Sequence, residues 1–345
     1  MRLGRWLALF AFGAAAALSL GATCLKSTPV TDLAAPLTSM AFAPDGRIFV
    51  AEKHGAIRIV REGEVTTFAT FDVSSLNERG LLGMALDPHF ENSPYVYAYY
   101  TYPGGVTPGS LYSGANGRIV RIRANGDAPD ASGERVLLEL GPVSLNHVGG
   151  ALHFGPDGML YVGLGEGARR FPGDAPDVLK RRQGYILRIN RDGSIPDDNP
   201  FAATATGVYR AVYAYGLRNP FTFAFAPDGR MFVNDVGQDD YEEINEVFAG
   251  GDYGWSACEG PCGADGVIDP VYSYTHDEGQ AITGGVFFNG GYYFADFLGN
   301  WIRRLDLATG NVDTVLVAAD NPVDLDVYDG SLYYLGLRGK IYRLE

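Results

Sequence analysis

Three cysteines in 345 residues are too few for a disulfide-dense scaffold or a multi-cysteine metal cluster. Basic residues are scarce too. The 27 Lys and Arg face 41 Asp and Glu, a net charge of −14, which argues against nucleic acid as a partner because phosphate binding needs basic patches. After residue 23 no stretch approaches the roughly 20 apolar residues that a membrane-spanning helix needs. Helical periods between strands are also missing, which removes a barrel of alternating strands and helices.

What the chain has in quantity is 46 glycines and 21 tyrosines, within a composition of 46% apolar and 20% charged residues. Together they predict an all-β protein of many short strands joined by tight turns. Residues 1–23 carry Arg2 and Arg5, the apolar run "WLALFAFGAAAALSL" and the small residues "LGA", the pattern of a secretory signal. The expectation is an exported protein, periplasmic or secreted, with residues 24–345 forming one domain. Cys24 follows at the position where a bacterial lipoprotein is lipidated; its flanking residues match that signal poorly, so anchoring through Cys24 stays as an alternative. Cys258 and Cys262 in "ACEGPCG" are close enough for a small disulfide loop, and no second Cys/His pair accompanies them as a metal site would require.

The organisation emerges from self-comparison. "MAFAPDGRIFVAE" from 40, "LHFGPDGMLYVGLGEG" from 152 and "FAFAPDGRMFVND" from 223 each place Pro-Asp-Gly between two alternating strands, a β-hairpin signature. Looser copies start at 84, 284 and 324, making six units, each followed by further strand-like segments such as "GAIRIVREG" and "GYILRINRDG". Six hairpins of this kind predict a six-bladed β-propeller with four-stranded antiparallel blades. Residues near 26–34 are expected to pair with the last blade and close the ring, and long loops are expected over 165–184 and 250–283.

Two constellations suggest chemistry. His147, one of five histidines, precedes a repeat hairpin whose return carries Glu166 back to the same end. The pair is either a base with its orienting carboxylate or a histidine that only bonds a loop backbone. One repeat later, Arg218 and Asn219 precede a hairpin and "DVGQDDYEEIN" follows it, an acidic segment that is either a calcium-binding loop or a solvated turn.

The ordered motifs "ERGLLGMALDPHF", "NHVGGALHFGPDGMLYVGLGEG", "GYILRIN", "YGLRNPFTFAF", "DVGQDDYEEINEV", "GGDYGW" and "AITGGVFF" resemble the glucose/sorbosone dehydrogenase family over roughly residues 35–345. Its members include soluble quinoprotein aldose dehydrogenases and, more distantly, the propeller of the Hedgehog-interacting protein. The resemblance implies an oxidoreductase that binds pyrroloquinoline quinone (PQQ) and calcium and oxidises the C1 hydroxyl of an aldose to a lactone, with a quinone or other acceptor taking the electrons. By the same resemblance, His147 is the catalytic base, Glu166 orients it, and Arg218 acts with them on the reacting oxygens. Asn146, Arg218, Asn219 and Glu78 then belong to the cofactor and substrate pocket, and the backbone carbonyls of Gly237 and Gln238 bind calcium.

The chain also departs from the family. PQQ carries three carboxylates, and the Lys and Arg pair that the resemblance implies fall on Leu298 and the region Asn321–Val323. An aromatic to stack on the quinone has no clear counterpart in "GADGVIDPVYSY". Arg169 and Arg170, Lys180 to Arg182, or Arg303 and Arg304 are candidate replacements. The alternative expectation is a non-catalytic propeller that binds calcium, a glycan or a protein.

Overall fold

The computed structural model describes residues 25–105, 114–167, 171–181 and 183–345. The expected export signal and Cys24 lie outside these residues, as do Arg169, Arg170 and Arg182. The strand β1 (Ser27–Asp32) is set aside for the last blade. Blade one contains β2 (Leu37–Phe42), β3 (Ile48–Glu52), β4 (Ala56–Arg61) and β5 (Glu64–Thr70). Blade two contains β6 (Leu81–Leu86), β7 (Tyr95–Pro103), β8 (Ala115–Asn125) and β9 (Ala128–Pro142). Blade three contains β10 (Leu152–Phe154), β11 (Leu160–Leu164), β12 (Gly184–Ile189) and β13 (Val212–Leu217). Blade four contains β14 (Pro220–Phe225), β15 (Met231–Asp235), β16 (Tyr241–Val247) and β17 (Tyr272–Thr275). Blade five contains β18 (Ile282–Phe288), β19 (Gly291–Asp296), β20 (Trp301–Leu305) and β21 (Val312–Val317). Blade six contains β22 (Pro322–Tyr328), β23 (Ser331–Gly336) and β24 (Lys340–Leu344), and β1 completes it by pairing with β24. The fold is thus the six-bladed propeller that the repeat predicts. The first strands touch in sequence from β2 round to β22 and back to β2, so the ring closes.

The Pro-Asp-Gly turns work as their chemistry dictates. Asp45, Asp157 and Asp228 each accept the N–H two residues on through Oδ1, at 3.3, 3.1 and 3.2 Å. The following Gly46, Gly158 and Gly229 have φ of 86°, 74° and 92°, a region other residues rarely adopt. One local expectation is corrected. The second strands β3, β11 and β15 are buried at every position instead of alternating, because each blade is sandwiched between two neighbours and hides both faces. The apolar clusters accordingly sit between blades: Phe49 with Phe68 and Phe90 between blades one and two, and Phe232 with Tyr292 and Phe294 between four and five. A second correction concerns the segment 250–283, which contains the outer strand β17 and is therefore not one continuous loop.

One device aims side chains at the axis. In five blades the first strand slips register near its start, between Leu37 and Ser39, Leu81 and Gly83, Pro220 and Thr222, Thr283 and Gly285, and Pro322 and Asp324. Such bulges turn a residue out of the ladder, and Thr38, Leu82, Phe221 and Val323 at these steps all line the central cavity. Blade three does this differently: β10 begins late, and the backbone before it turns through positive φ at His147 (56°), Gly149 (63°) and Gly150 (140°).

Candidate active site

His147 sits in the left-handed backbone region, uncommon for a residue with a side chain and frequent at functional positions. Its N–H donates to Glu78 Oε2 at 2.5 Å, and its carbonyl accepts Gly167 N–H at 2.9 Å. The "GLGEG" return presses against this turn. A Cβ on Gly165 would lie 2.2 Å from the His147 carbonyl oxygen, and one on Gly167 2.2 Å from that of Asn146. Glycine at both places therefore lets the two segments close, and their closure brings the Glu166 side chain to the imidazole.

Glu166 Oε1 lies 3.0 Å from His147 Nδ1, and Arg218 Nη2 lies 3.0 Å from His147 Nε2. The partners select the tautomer. A carboxylate only accepts, so Nδ1 carries the proton; a guanidinium only donates, so Nε2 offers its lone pair. The other Glu166 oxygen accepts the indole N–H of Trp255 at 2.7 Å, and Glu166 is buried. Arg218 Nη1 donates to Val236 O at 2.8 Å, and its guanidinium lies 5.6 Å from the Trp255 ring centroid. The Arg218–Asn219 backbone is fixed by Asp235, whose two oxygens accept their N–H groups at 2.8 and 2.6 Å. Burial, with the nearby Glu243 charge, pushes the Asp235 carboxyl well above its usual range. Asn219 Oδ1 in turn accepts the Gly149 N–H at 3.2 Å, tying blade four back to the His147 turn.

The segment 237–241 has its own organiser. Glu259 Oε1 accepts the N–H groups of Gln238, Asp239, Asp240 and Tyr241 at 2.7 to 3.1 Å. Burial alone would raise this carboxyl, but the four donors hold it below the usual range. In a planar trans peptide the C=O opposes the following N–H, so the carbonyls of Gly237, Gln238, Asp239 and Asp240 point away from Glu259. Glu259 lies within the loop closed by the expected Cys258–Cys262 disulfide, which is formed, and Trp255 belongs to the same segment. Among the described residues no cluster of three or more His, Cys, Asp or Glu side chains is arranged to hold a metal, so a cation here would rely on these carbonyls.

The propeller axis holds a cavity of about 310 Å³, walled by Lys53, Glu78, Gly149, His153, Asn219, Thr222 and Asp324 among others. The structure thus brings together His147, Glu166, Arg218, Asn219 and Glu78. Asn146 is exposed at the rim, where its Oδ1 accepts Asn77 Nδ2 at 3.3 Å, and Gln238 directs its side chain to Asp239. His153, the histidine of this wall, packs edge-on against Phe223, and burial pushes its pKa down to about 4. Leu298 is exposed, and Asn321 donates to Asn300 Oδ1 and Phe297 O. Among the described residues, the candidate substitute cations lie elsewhere: Lys180 pairs with Asp177, Arg181 with Asp252 and Arg303 with Glu278, and Arg304 is on the blade-five strand β20. Sequence reasoning missed Trp255, Asp235, Glu259 and Lys53. The first three were inside quoted motifs, but only the folded chain shows what they touch.

Comparison with known proteins gives one family. The family model of glucose/sorbosone dehydrogenases matches residues 33–303. Quinoprotein glucose dehydrogenase B of Acinetobacter calcoaceticus is 30% identical over 240 residues, 63% of this chain and 49% of that protein. The human Hedgehog-interacting protein is 32% identical over 197 residues, 50% of this chain and 27% of that protein. The PQQ-bound aldose sugar dehydrogenase from Streptomyces coelicolor superposes with a TM-score of 0.77 at 27% identity, covering 93% of this chain and 98% of that one. The chain spans about half the length of the curated relatives it matches first.

Proposed function

The chain belongs to the glucose/sorbosone dehydrogenase family, and from that premise we propose that it is an exported sugar dehydrogenase using PQQ and calcium to oxidise the C1 hydroxyl of aldoses. The product would be a lactone, and a quinone or other acceptor would take the electrons. The observation that carries this reading is the clamp on His147, with a carboxylate on Nδ1 and a guanidinium on Nε2, each at 3.0 Å. A scaffold needs no histidine clamped between a carboxylate and a guanidinium.

The surroundings suit an anionic, oxygen-rich ligand. Arg218 Nε and Thr222 Oγ1 are buried without a hydrogen-bond partner among the described residues, which native proteins avoid unless a ligand or water completes them. Thr222, Asn219 and Glu78 face a cavity of about 310 Å³, within the range of small-molecule sites. Arg218, Asn219 and Thr222 would hold PQQ, and the carbonyls of Gly237 and Gln238 its calcium. When bound, PQQ with calcium supplies a polarised two-electron acceptor.

The chain's own groups do the acid–base work. His147 Nε2 takes the proton of the substrate hydroxyl, for which the sugar oxygen must share or displace the Arg218 Nη2 contact. Glu166 stabilises the imidazolium through Nδ1–H, held in place by Trp255. Arg218 then donates to the oxygen that becomes the carbonyl, countering its developing charge. Glu78, which fixes the His147 backbone, stands at the substrate end of the wall.

A second reading, a non-catalytic binding propeller, is favoured by one observation: neither Leu298 nor Asn321 offers a cation to the cavity. Calorimetric titration of PQQ into the apo-protein, with millimolar calcium and then with chelator, separates the two. Calcium-dependent one-to-one binding, followed by aldose oxidation with a dye acceptor, is expected; no binding under either condition leaves the binding propeller.

A further inference from the structure

Four blades repeat one backbone bond at the cavity end. The residue just past the second strand donates its N–H to the carbonyl just before the first strand: Lys53 to Pro36 at 2.8 Å, Val236 to Asn219 at 3.1 Å, Phe297 to Ala281 at 2.9 Å and Leu337 to Asn321 at 3.0 Å. All four side chains line the central cavity. Three are apolar, so the propeller places no demand for charge at this position. In blade one it is an ammonium.

Glu78 of the same wall attracts this ammonium, but no direct ion pair accounts for it. Lys53 Nζ donates to Ser75 O at 2.6 Å, which uses one of its three protons. No carboxylate oxygen lies within 4.0 Å of it among the described residues, whereas most other cations of the chain hold such a partner. Lys53 is half-buried, and it is the sole Lys or Arg of this cavity wall among the described residues. A desolvated ammonium with unused donors stabilises little by itself. An anion entering the cavity would find it already oriented.

We propose that Lys53 is the anion anchor of the cavity and binds a carboxylate of PQQ, supplying from blade one the charge that blades five and six lack at Leu298 and Asn321–Val323. The inference rests on the PQQ reading above. It also assigns a direction to the bound group, with one carboxylate toward the junction of blades one and two, where Lys53 reaches Ser75, and another part of the group toward Arg218 and Asn219.

The test is the PQQ dissociation constant, measured by calorimetry with calcium present, for the wild type, Lys53→Gln, Lys53→Met and Lys53→Arg. Gln keeps a donor for Ser75 O and Met keeps the aliphatic stem, so at least one neutral variant retains the fold, checked by its melting temperature without PQQ. Loss of a charge-assisted bond predicts weakening of about 10-fold or more in both neutral variants and near-native binding in Lys53→Arg. Wild-type binding that the neutral variants match would overturn the anchor and leave the PQQ reading standing. Neutral variants with a raised KM for sugar and an unchanged PQQ constant would also overturn it, assigning Lys53 to the substrate. A wild type that binds no PQQ removes both.

Discussion

Trp255 donates its indole N–H to the Glu166 oxygen that His147 does not use, at 2.7 Å. The carboxylate is therefore held from both sides and cannot swing away from the imidazole. Trp255 comes from the disulfide-bearing segment after β16, Glu166 from the loop after β11, and His147 from the turn before β10. Two blades and a long loop thus share one hydrogen-bonded chain.

Trp255→Phe should preserve the ring beside Arg218 and remove only the N–H. On the proposed mechanism kcat falls roughly 10-fold while KM for the sugar changes little, the expected size for one hydrogen bond to a charged group. Steady-state kinetics with a dye acceptor decides it. An unchanged kcat would mean that Glu166 needs no second support.

His147→Ala should bind PQQ as the wild type does and lose about 10² to 10⁴ in turnover. Glu166→Gln should lose a large part of the same factor, because an amide can present N–H to Nδ1 and reverse the tautomer. The double variant should be no worse than His147→Ala alone, since the two residues act as a unit. Additive losses in the double variant would count against the pairing.

Glu259→Ala should loosen the 237–241 turn, because four N–H groups lose one acceptor. The expected result is a smaller calcium-dependent rise in melting temperature than the wild type gives against chelator. Equal shifts in both proteins would show that the carbonyls of Gly237 and Gln238 do not carry the calcium.

Asp324 gives the pH prediction. Burial, with Asp326 nearby, pushes its pKa up to about 8, and burial pushes Asp326 up to about 6. Unfolded, both carboxyls titrate near about 3.9. The folded chain therefore binds more protons between these values, so this contribution is complete below pH ~4 and is lost as pH rises through the folded pKa values. Asp324→Asn should flatten the fall in melting temperature between about pH 4 and 8, read by thermal melts across buffers. A profile as steep as the wild type's would exclude Asp324 as the group responsible.

The repeat made the fold legible because Pro-Asp-Gly is a local instruction: Asp caps, Gly turns, and the flanking strands pair across the turn. The same locality limited it. Alternation was expected in β3, β11 and β15, yet burial there is continuous, since it is set by neighbouring blades and not by the strand's own sequence. At the site, His147, Glu166, Arg218 and Asn219 were legible from position within the repeat and from family motifs. Lys53 was not, because "EKHG" gives no sign that the residue after a strand lines the axis.

The sequence by itself determined the number of blades, their turns, the closing strand, the disulfide pair and the family. All of these rest on interactions between residues near in the chain or on patterns repeated along it. Only the tertiary structure decided that Trp255 braces Glu166, that Glu259 gathers four N–H groups, and that Lys53 faces the cavity where Val236, Phe297 and Leu337 stand in other blades. Closing the ring brings residues from separate blades to one axis, and that convergence depends on blade packing and strand bulges that no single segment encodes.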